Sequence, residues 1–89
     1  PKTVRALILA PTRELARQIH DALLPFTRLS HLPIGLVTGG VGFTPQIERL
    51  ARGLAVLVAT PGRLIDLMDR GSVDLSRTEA LVLDEADQM

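Results

Sequence analysis

No cysteine, tryptophan or tyrosine occurs among the 89 residues, and there are only two phenylalanines, Phe26 and Phe43. Without cysteine there is no disulfide framework and no thiolate metal site. Two aromatic rings make no platform on which successive bases could stack, so any nucleic acid would have to be gripped through its backbone, indifferent to sequence. The two histidines, His20 and His31, lack metal-ligand spacing with other candidate ligands and read as surface or helix-end residues. There is no signal peptide, and no apolar run approaches the length needed to cross a membrane. The expectation is a soluble intracellular protein, cytoplasmic by default, with a nuclear or nucleolar place as the alternative in a eukaryote, and no membrane partner.

What is present is a chain 46% apolar, enough for one small compact domain that buries a modest share of its surface. Pro1 is not an initiator residue and Met89 follows an unfinished pattern, so the chain reads as a piece of a larger domain. Net charge is zero but unevenly spread. Residues 1–63 carry eight Lys/Arg against Glu14, Asp21 and Glu48, a balance of +5; residues 64–89 carry Arg70 and Arg77 against seven Asp/Glu, a balance of −5. Polyanion contact early and cation binding late would produce that asymmetry, and so would chance on a short chain. Nine of the ten basic residues are Arg, which suits forked contacts to phosphate or carboxylate.

The apolar runs set the element order. Val4–Ala10 predicts a strand, stopped by Pro11, after which Thr12 can cap a helix beginning at Arg13. Leu15, Ile19, Ala22, Leu23, Phe26 and Leu29 recur at helical spacing as its inner face. Pro25 falls inside and removes a bond to the Asp21 carbonyl, which predicts a kink or an early end. Pro33–Thr38 is a weaker strand, followed by a loop with Gly39, Gly40 and Gly42. Thr44-Pro45 reads as cap and first position of a short helix ending at Gly53. Ala55–Ala59 is a third strand. Thr60-Pro61 repeats the cap signal before a helix with Leu64, Ile65, Leu67 and Met68 inward and Gly71 as its stop. Asp66, Asp69 and Arg70 read as its solvated face. A polar connection from Ser72 to Glu79 leads to a fourth strand at Ala80. Continuously apolar strands alternating with helices imply an α/β fold: a parallel sheet with right-handed crossover helices.

That fourth strand runs into Asp84-Glu85-Ala86-Asp87. Carboxylates crowded at a strand exit repel one another unless a cation or positive partner is present. Two readings stand: a site holding magnesium near phosphates, or an acidic exit from strand to loop. Ligands of open parallel sheets bind outside the carboxyl ends of the strands, and the unusual segments all fall there: Pro11-Thr-Arg13, Gly39-Gly40, Thr60-Pro-Gly-Arg63 and Asp84–Asp87. Thr12 and Thr60 each follow a strand and open a helix, whose free N–H groups and dipole attract anions. Arg13 and Arg63 stand beside them. Plain capping accounts for one such Thr; two, each with an Arg and with a double glycine between, shift the balance toward phosphate.

Taken together, Pro11-Thr-Arg-Glu-Leu-Ala16, Gly39-Gly40, Thr60-Pro-Gly-Arg63 and Asp84-Glu-Ala-Asp87, in this order and spacing, resemble the DEAD-box ATP-dependent RNA helicases over nearly the whole chain. Val82–Asp87 is similar to the Walker B element of a RecA-like (P-loop NTPase) domain. The resemblance implies that Asp84 holds Mg²⁺ beside the ATP phosphates, largely through water, and that Glu85 positions and activates the attacking water. It implies that Asp87 links the nucleotide site to RNA-sensing motifs. It further implies that Thr12, Arg13, Gly39, Gly40, Thr60 and Arg63 contact the sugar-phosphate backbone of RNA, and that a second RecA-like domain of the same protein is a partner. Phosphoryl transfer asks for positioning and charge neutralisation of this kind.

The departures are as informative. The Gly-rich phosphate loop ending in Lys-Thr or Lys-Ser, the adenine-recognising glutamine segment, the later Ser-Ala-Thr motif and the second domain with its arginine finger do not occur in these residues. Residues 1–89 are therefore expected to be an incomplete first RecA-like domain, inactive alone, with sheet edges and apolar faces left uncovered. Alternatives are a non-catalytic nucleic-acid or protein binding module derived from a helicase domain, a DNA-acting relative, and a flavodoxin-like nucleotide binder. The Asp84-Glu85 pair argues against the first, Pro11–Ala16 and Ala86-Asp87 against the second, and the four motifs together against the third.

Overall fold

The computed structural model describes residues 2–40 and 42–83. Among the described residues seven elements alternate: β1 (Val4–Leu9), α1 (Arg13–Leu29), β2 (Ile34–Val37), α2 (Phe43–Ala51), β3 (Leu54–Ala59), α3 (Pro61–Asp69) and β4 (Ala80–Leu83). This is the order the apolar runs predict. All three strand pairings are parallel, and the sheet order is β2-β3-β1-β4.

The order explains where the helices lie. From β1 the chain crosses past β3 to β2, then reverses, returning to β3 and on to β4 beyond β1. Right-handed crossovers in opposite directions place their helices on opposite faces. Accordingly α1 covers one face, with Ala16, Leu15, Ile19, Leu23 and Leu24 packed on Ile8, Ile34, Val56 and Val58. Helices α2 and α3 cover the other, where Leu50, Leu64 and Leu67 pack on Leu7, Val37, Leu57 and Ala59. Along β3, residues 56 and 58 face one layer and 57 and 59 the other, the period-two alternation of a strand buried on both sides.

Several local expectations are corrected. Helix α1 does not end at Pro25 but runs on to Leu29. Both Pro25 and Asp21, whose carbonyl loses its partner, lie on the exposed side, open to solvent, and burial of the opposite face offsets the ~3 kcal/mol cost of an interior proline. Phe26 and Leu29 are 67% and 83% exposed, not inner-face residues, and Ala22 is exposed as well. Helix α3 buries Leu64 and Leu67 but leaves Ile65 and Met68 56% and 47% exposed. Helix α2 starts at Phe43 with Gly42 at the cap and no side-chain capping bond, so Thr44-Pro45 lies inside it. His20 is largely buried rather than on the surface, its Nδ1 3.0 Å from Asp21 Oδ1. His31 is exposed at a helix end as expected.

The helix ends follow one geometry with different residues. Gly53 (φ +81°) and Gly71 (φ +70°) sit just past the caps of α2 and α3, and His31 (φ +56°) takes the same place after α1. There Leu32 N–H donates to the Thr27 carbonyl at 2.9 Å and His31 N–H to Arg28 at 3.2 Å, the paired bonds of a Schellman turn.

At the outer strand β2, the carbonyls of Pro33 and Val37 accept from β3. Backbone alternation therefore turns those of Ile34 and Thr38 outward. Both are met by side chains of α2: Arg49 Nη2 donates to Ile34 O at 2.5 Å and Gln46 Nε2 to Thr38 O at 3.1 Å. At β2, two outward carbonyls that could template another strand are thus occupied by side chains of α2.

Candidate functional site

The carboxyl ends of β1, β2 and β3 lie side by side, held in register by Ala10 N–H to Ala59 O (3.0 Å) and Thr60 N–H to Val37 O (3.1 Å). Pro11–Arg13, Gly39-Gly40 and Thr60–Arg63 leave these three ends, so three of the four segments singled out by the sequence are neighbours on one edge. The fourth follows β4 on the far side of β1, but Asp84, Glu85 and Asp87 lie outside the described residues. Among the described residues no group of three or more His, Cys, Asp or Glu could hold a metal ion, and no helix is long and apolar enough to cross a membrane.

The two threonines, alike in sequence, differ in structure. Thr12 is the N-cap of α1 in extended conformation (φ −130°, ψ 157°), and its hydroxyl oxygen accepts from Leu15 N–H at 3.1 Å. Thr60 is the N-cap of α3 (φ −88°, ψ 145°) with Pro61 at the first helical position, yet its hydroxyl makes no capping bond. Plain capping accounts for Thr12, whereas the Thr60 hydroxyl supplies no cap to the first turn of α3.

Each helix start also carries an arginine. Arg13 opens α1 and Arg63 is in the first turn of α3, which holds no acidic residue. The positive end of a helix dipole disfavours a cation there by ~0.3–1 kcal/mol, so neither arginine is placed for helix stability. An anion on this edge would be attracted by the guanidinium groups and by the helix starts alike.

Arg13 lies exposed across the glycine loop, with Nη1 3.4 Å from Gly39 O. Gly40 has φ +82°, and a Cβ built on it would overlap Nη1 and come within 3.2 Å of Cζ. Glycine is favoured there by the left-handed backbone, and it also leaves the Arg13 guanidinium the place it occupies. Gly39 has open space around its missing Cβ. A cleft of about 620 Å³ continues from this loop between α1 and α2, with Arg13, Arg17 and Arg49 against the single acid Glu14.

Arg63 is held from two sides by residues the sequence reading passed over. Its Nη1 donates to Gln46 Oε1 at 3.2 Å. Its Cζ lies 4.0 Å from the centre of the Phe43 ring, and Arg70 Cζ lies 3.8 Å from the same centre. Gln46 is 6% exposed. Its signal was its place four residues before Leu50, on the buried face of α2, where an apolar periodicity counts only apolar residues. Arg70, read as part of a solvated face, is stacked on Phe43; Asp66 and Asp69 are exposed as expected.

The sequence model of the DEAD/DEAH box helicase family matches residues 1–89, the whole chain. The chain is 53% identical over 83 residues to the ATP-dependent RNA helicase DBP2 of Gibberella zeae, covering 93% of this chain and 15% of that protein. It is 49% identical over 85 residues to the ATP-dependent RNA helicase RhlB of Erwinia tasmaniensis, covering 96% and 20%. It thus spans a fifth or less of the length of these relatives. Among solved structures, the yeast DEAD-box splicing factor Prp28 superposes with a TM-score of 0.87 at 40% identity, over 96% of this chain and 20% of that one. A hypothetical ATP-dependent RNA helicase from Sulfolobus tokodaii gives 0.86 at 41% identity, over 97% and 26%. The fold expectation, a parallel α/β sheet of the RecA-like kind, holds. The motifs, their convergence on one sheet edge and these matches agree: the chain belongs to the DEAD/DEAH box helicase family.

Proposed function

We propose that this chain is the central piece of the first RecA-like domain of an ATP-dependent RNA helicase, running from the Pro11–Ala16 motif to Asp84–Asp87. In the full-length protein it would couple ATP binding and hydrolysis to unwinding or remodelling of RNA. Thr12, Arg13, Gly39, Gly40, Thr60 and Arg63 form its RNA-backbone surface. The observation that carries this reading is the meeting of the three segments at the carboxyl ends of β1, β2 and β3, with two cations set at helix starts.

Asp84 offers the hard oxygen donors that Mg²⁺ takes together with water and phosphate oxygens. When bound, Mg²⁺ would neutralise charge on the phosphates. Glu85 orients the attacking water and accepts its proton, and Asp87 ties that site to the RNA-contacting segments. The phosphate loop and a second RecA-like domain are supplied by other parts of the full-length protein. A cytoplasmic setting belongs to the same proposal; the absence of cysteine and of long apolar stretches is compatible with it.

The test is ATP turnover by the full-length protein with RNA or DNA added. RNA is expected to stimulate and DNA not; equal stimulation by both would overturn the RNA assignment. Glu85→Gln is expected to abolish turnover while leaving ATP and RNA binding largely intact. Loss of both bindings on that change would make Glu85 a structural residue instead. Residues 1–89 alone are expected to show no RNA-stimulated turnover.

A further inference from the structure

Beyond the motif residues, we propose that Phe43 and Gln46 are positioning residues for Arg63, holding its guanidinium at the carboxyl edge in the orientation that meets one RNA phosphate. The proposal rests on the RNA reading of that edge. It concerns two residues outside the segments that carry the family resemblance.

Gln46 is fixed first. Its side chain is buried, and its Nε2 donates to the carbonyl of Thr38, the residue before Gly39. A carbonyl only accepts, so the amide has one orientation, with Oε1 left to accept from Arg63 Nη1. One side chain therefore ties the end of β2 to the first turn of α3. Displacing Arg63 would strand a buried acceptor, which is costly in a dry site.

Phe43 fixes the plane. Two guanidinium groups within 4.0 Å of one ring centre have no room on the same face, so the ring lies between Arg63 and Arg70. The two arginines are seven residues apart, about two helical turns or ~10 Å along α3 and its cap, which is the space a ring wedged between them requires. Cation–π attraction on both faces holds the ring and the Arg63 plane together. With both faces taken, Phe43 is closed to stacking by a base. Arg63 thus loses rotamer freedom on folding instead of on binding, and a preorganised guanidinium binds more tightly than a free one.

The test is binding of a labelled oligouridine to the full-length protein, with a non-hydrolysable ATP analogue, across roughly 50 to 200 mM salt. Arg63→Ala is expected to weaken binding about tenfold and to lower the salt slope by about 0.7, one phosphate contact to a single strand. Phe43→Leu and Gln46→Leu are each expected to weaken binding roughly threefold or more and to lower the slope. In an Arg63→Ala background neither should cost anything further; with Arg63 in place, Phe43→Tyr, which keeps the ring, should retain the wild-type slope. Losses that add in full to that of Arg63→Ala, or no loss at all, would refute positioning. An Arg63→Ala protein with unchanged affinity and slope would instead retire the RNA role of Arg63, and the proposal with it. If Gln46→Leu fails to fold, Phe43→Leu at its half-exposed site carries the same comparison.

Discussion

Gly39 and Gly40 are adjacent and look interchangeable in sequence, yet the structure predicts opposite responses to one added methyl group. At Gly40 the backbone is left-handed, φ +82°. An alanine there costs about 1–2 kcal/mol of stability from the Cβ clash with its own backbone. Its Cβ also occupies the place of Arg13 Nη1. Arg13 is exposed and flexible, so it swings away at little further cost to folding, but it leaves the edge. On the RNA role proposed for Arg13, loss of that charge-assisted contact would weaken RNA binding about tenfold. At Gly39 a Cβ meets nothing within 4 Å and φ is not positive, so Gly39→Ala should change stability by less than about 0.5 kcal/mol. Any fall in RNA affinity at Gly39 then reports close approach of the ligand to the backbone. The assay is urea unfolding and RNA binding on the same preparations of the full-length protein. Equal stability losses at the two positions, or a Gly40→Ala protein with wild-type RNA affinity, would show that Arg13 is not placed by the glycine.

Three further outcomes are expected. His31→Gly should stabilise the protein by about 1 kcal/mol, since glycine suits the left-handed position that α2 and α3 already give to Gly53 and Gly71; no gain in the urea midpoint would mean the His31 side chain contributes a contact of its own. Leu57→Ala, at a fully buried position in the inner strand β3, should cost about 2–5 kcal/mol, while Leu29→Ser, at a site 83% exposed, should change unfolding by about 0.5 kcal/mol or less; similar values for the two would contradict the layer assignment. The Asp74 carboxyl is held below its ordinary value of 3.8 by the Ser76 hydroxyl, then by the Ser76 backbone N–H, which donate to Oδ1 at 2.6 and 2.9 Å. A depressed folded value means that the charged form favours the fold, so this contribution is complete above about 3.8 and is lost as pH falls through the lower folded value. Asp74→Asn should remove that part of the acid dependence, and an unchanged acid unfolding curve would assign it elsewhere.

How far the chain could be read without coordinates depended on how local each cause is. Strand, helix and strand order follow from runs such as Leu54–Ala59 and from breakers such as Pro11 and Gly71, all of which act within a few residues. The motif segments were legible because several of them, each with an ordinary capping or turn use alone, recur at strand ends in a fixed order. Pro25 did not end the helix, because its cost is local while its compensation, burial of the opposite face of α1, is not. Phe26, Ile65 and Met68 misled because helical spacing marks a stripe, and only the partner surface decides how wide a stripe is buried. The site was half legible for the same reason. The double glycine and the two Thr-Arg pairs could be named from the sequence, but not Gln46 or Phe43, whose meaning lies in residues eight to twenty-seven positions away.

The sequence by itself determined the element order, the parallel α/β class and the family, since these rest on periodicity, turn chemistry and ordered motifs along the chain. Only the tertiary structure decided that the chain reverses direction after β2, which splits the helices between two faces and brings the ends of β1, β2 and β3 together. Only it separated a capping Thr12 from an unengaged Thr60 hydroxyl, assigned Gly40 the clearance for Arg13, and wedged Phe43 between Arg63 and Arg70. The physical reason is that each of these is a contact between elements far apart in sequence, fixed by sheet register and helix packing rather than by neighbouring residues.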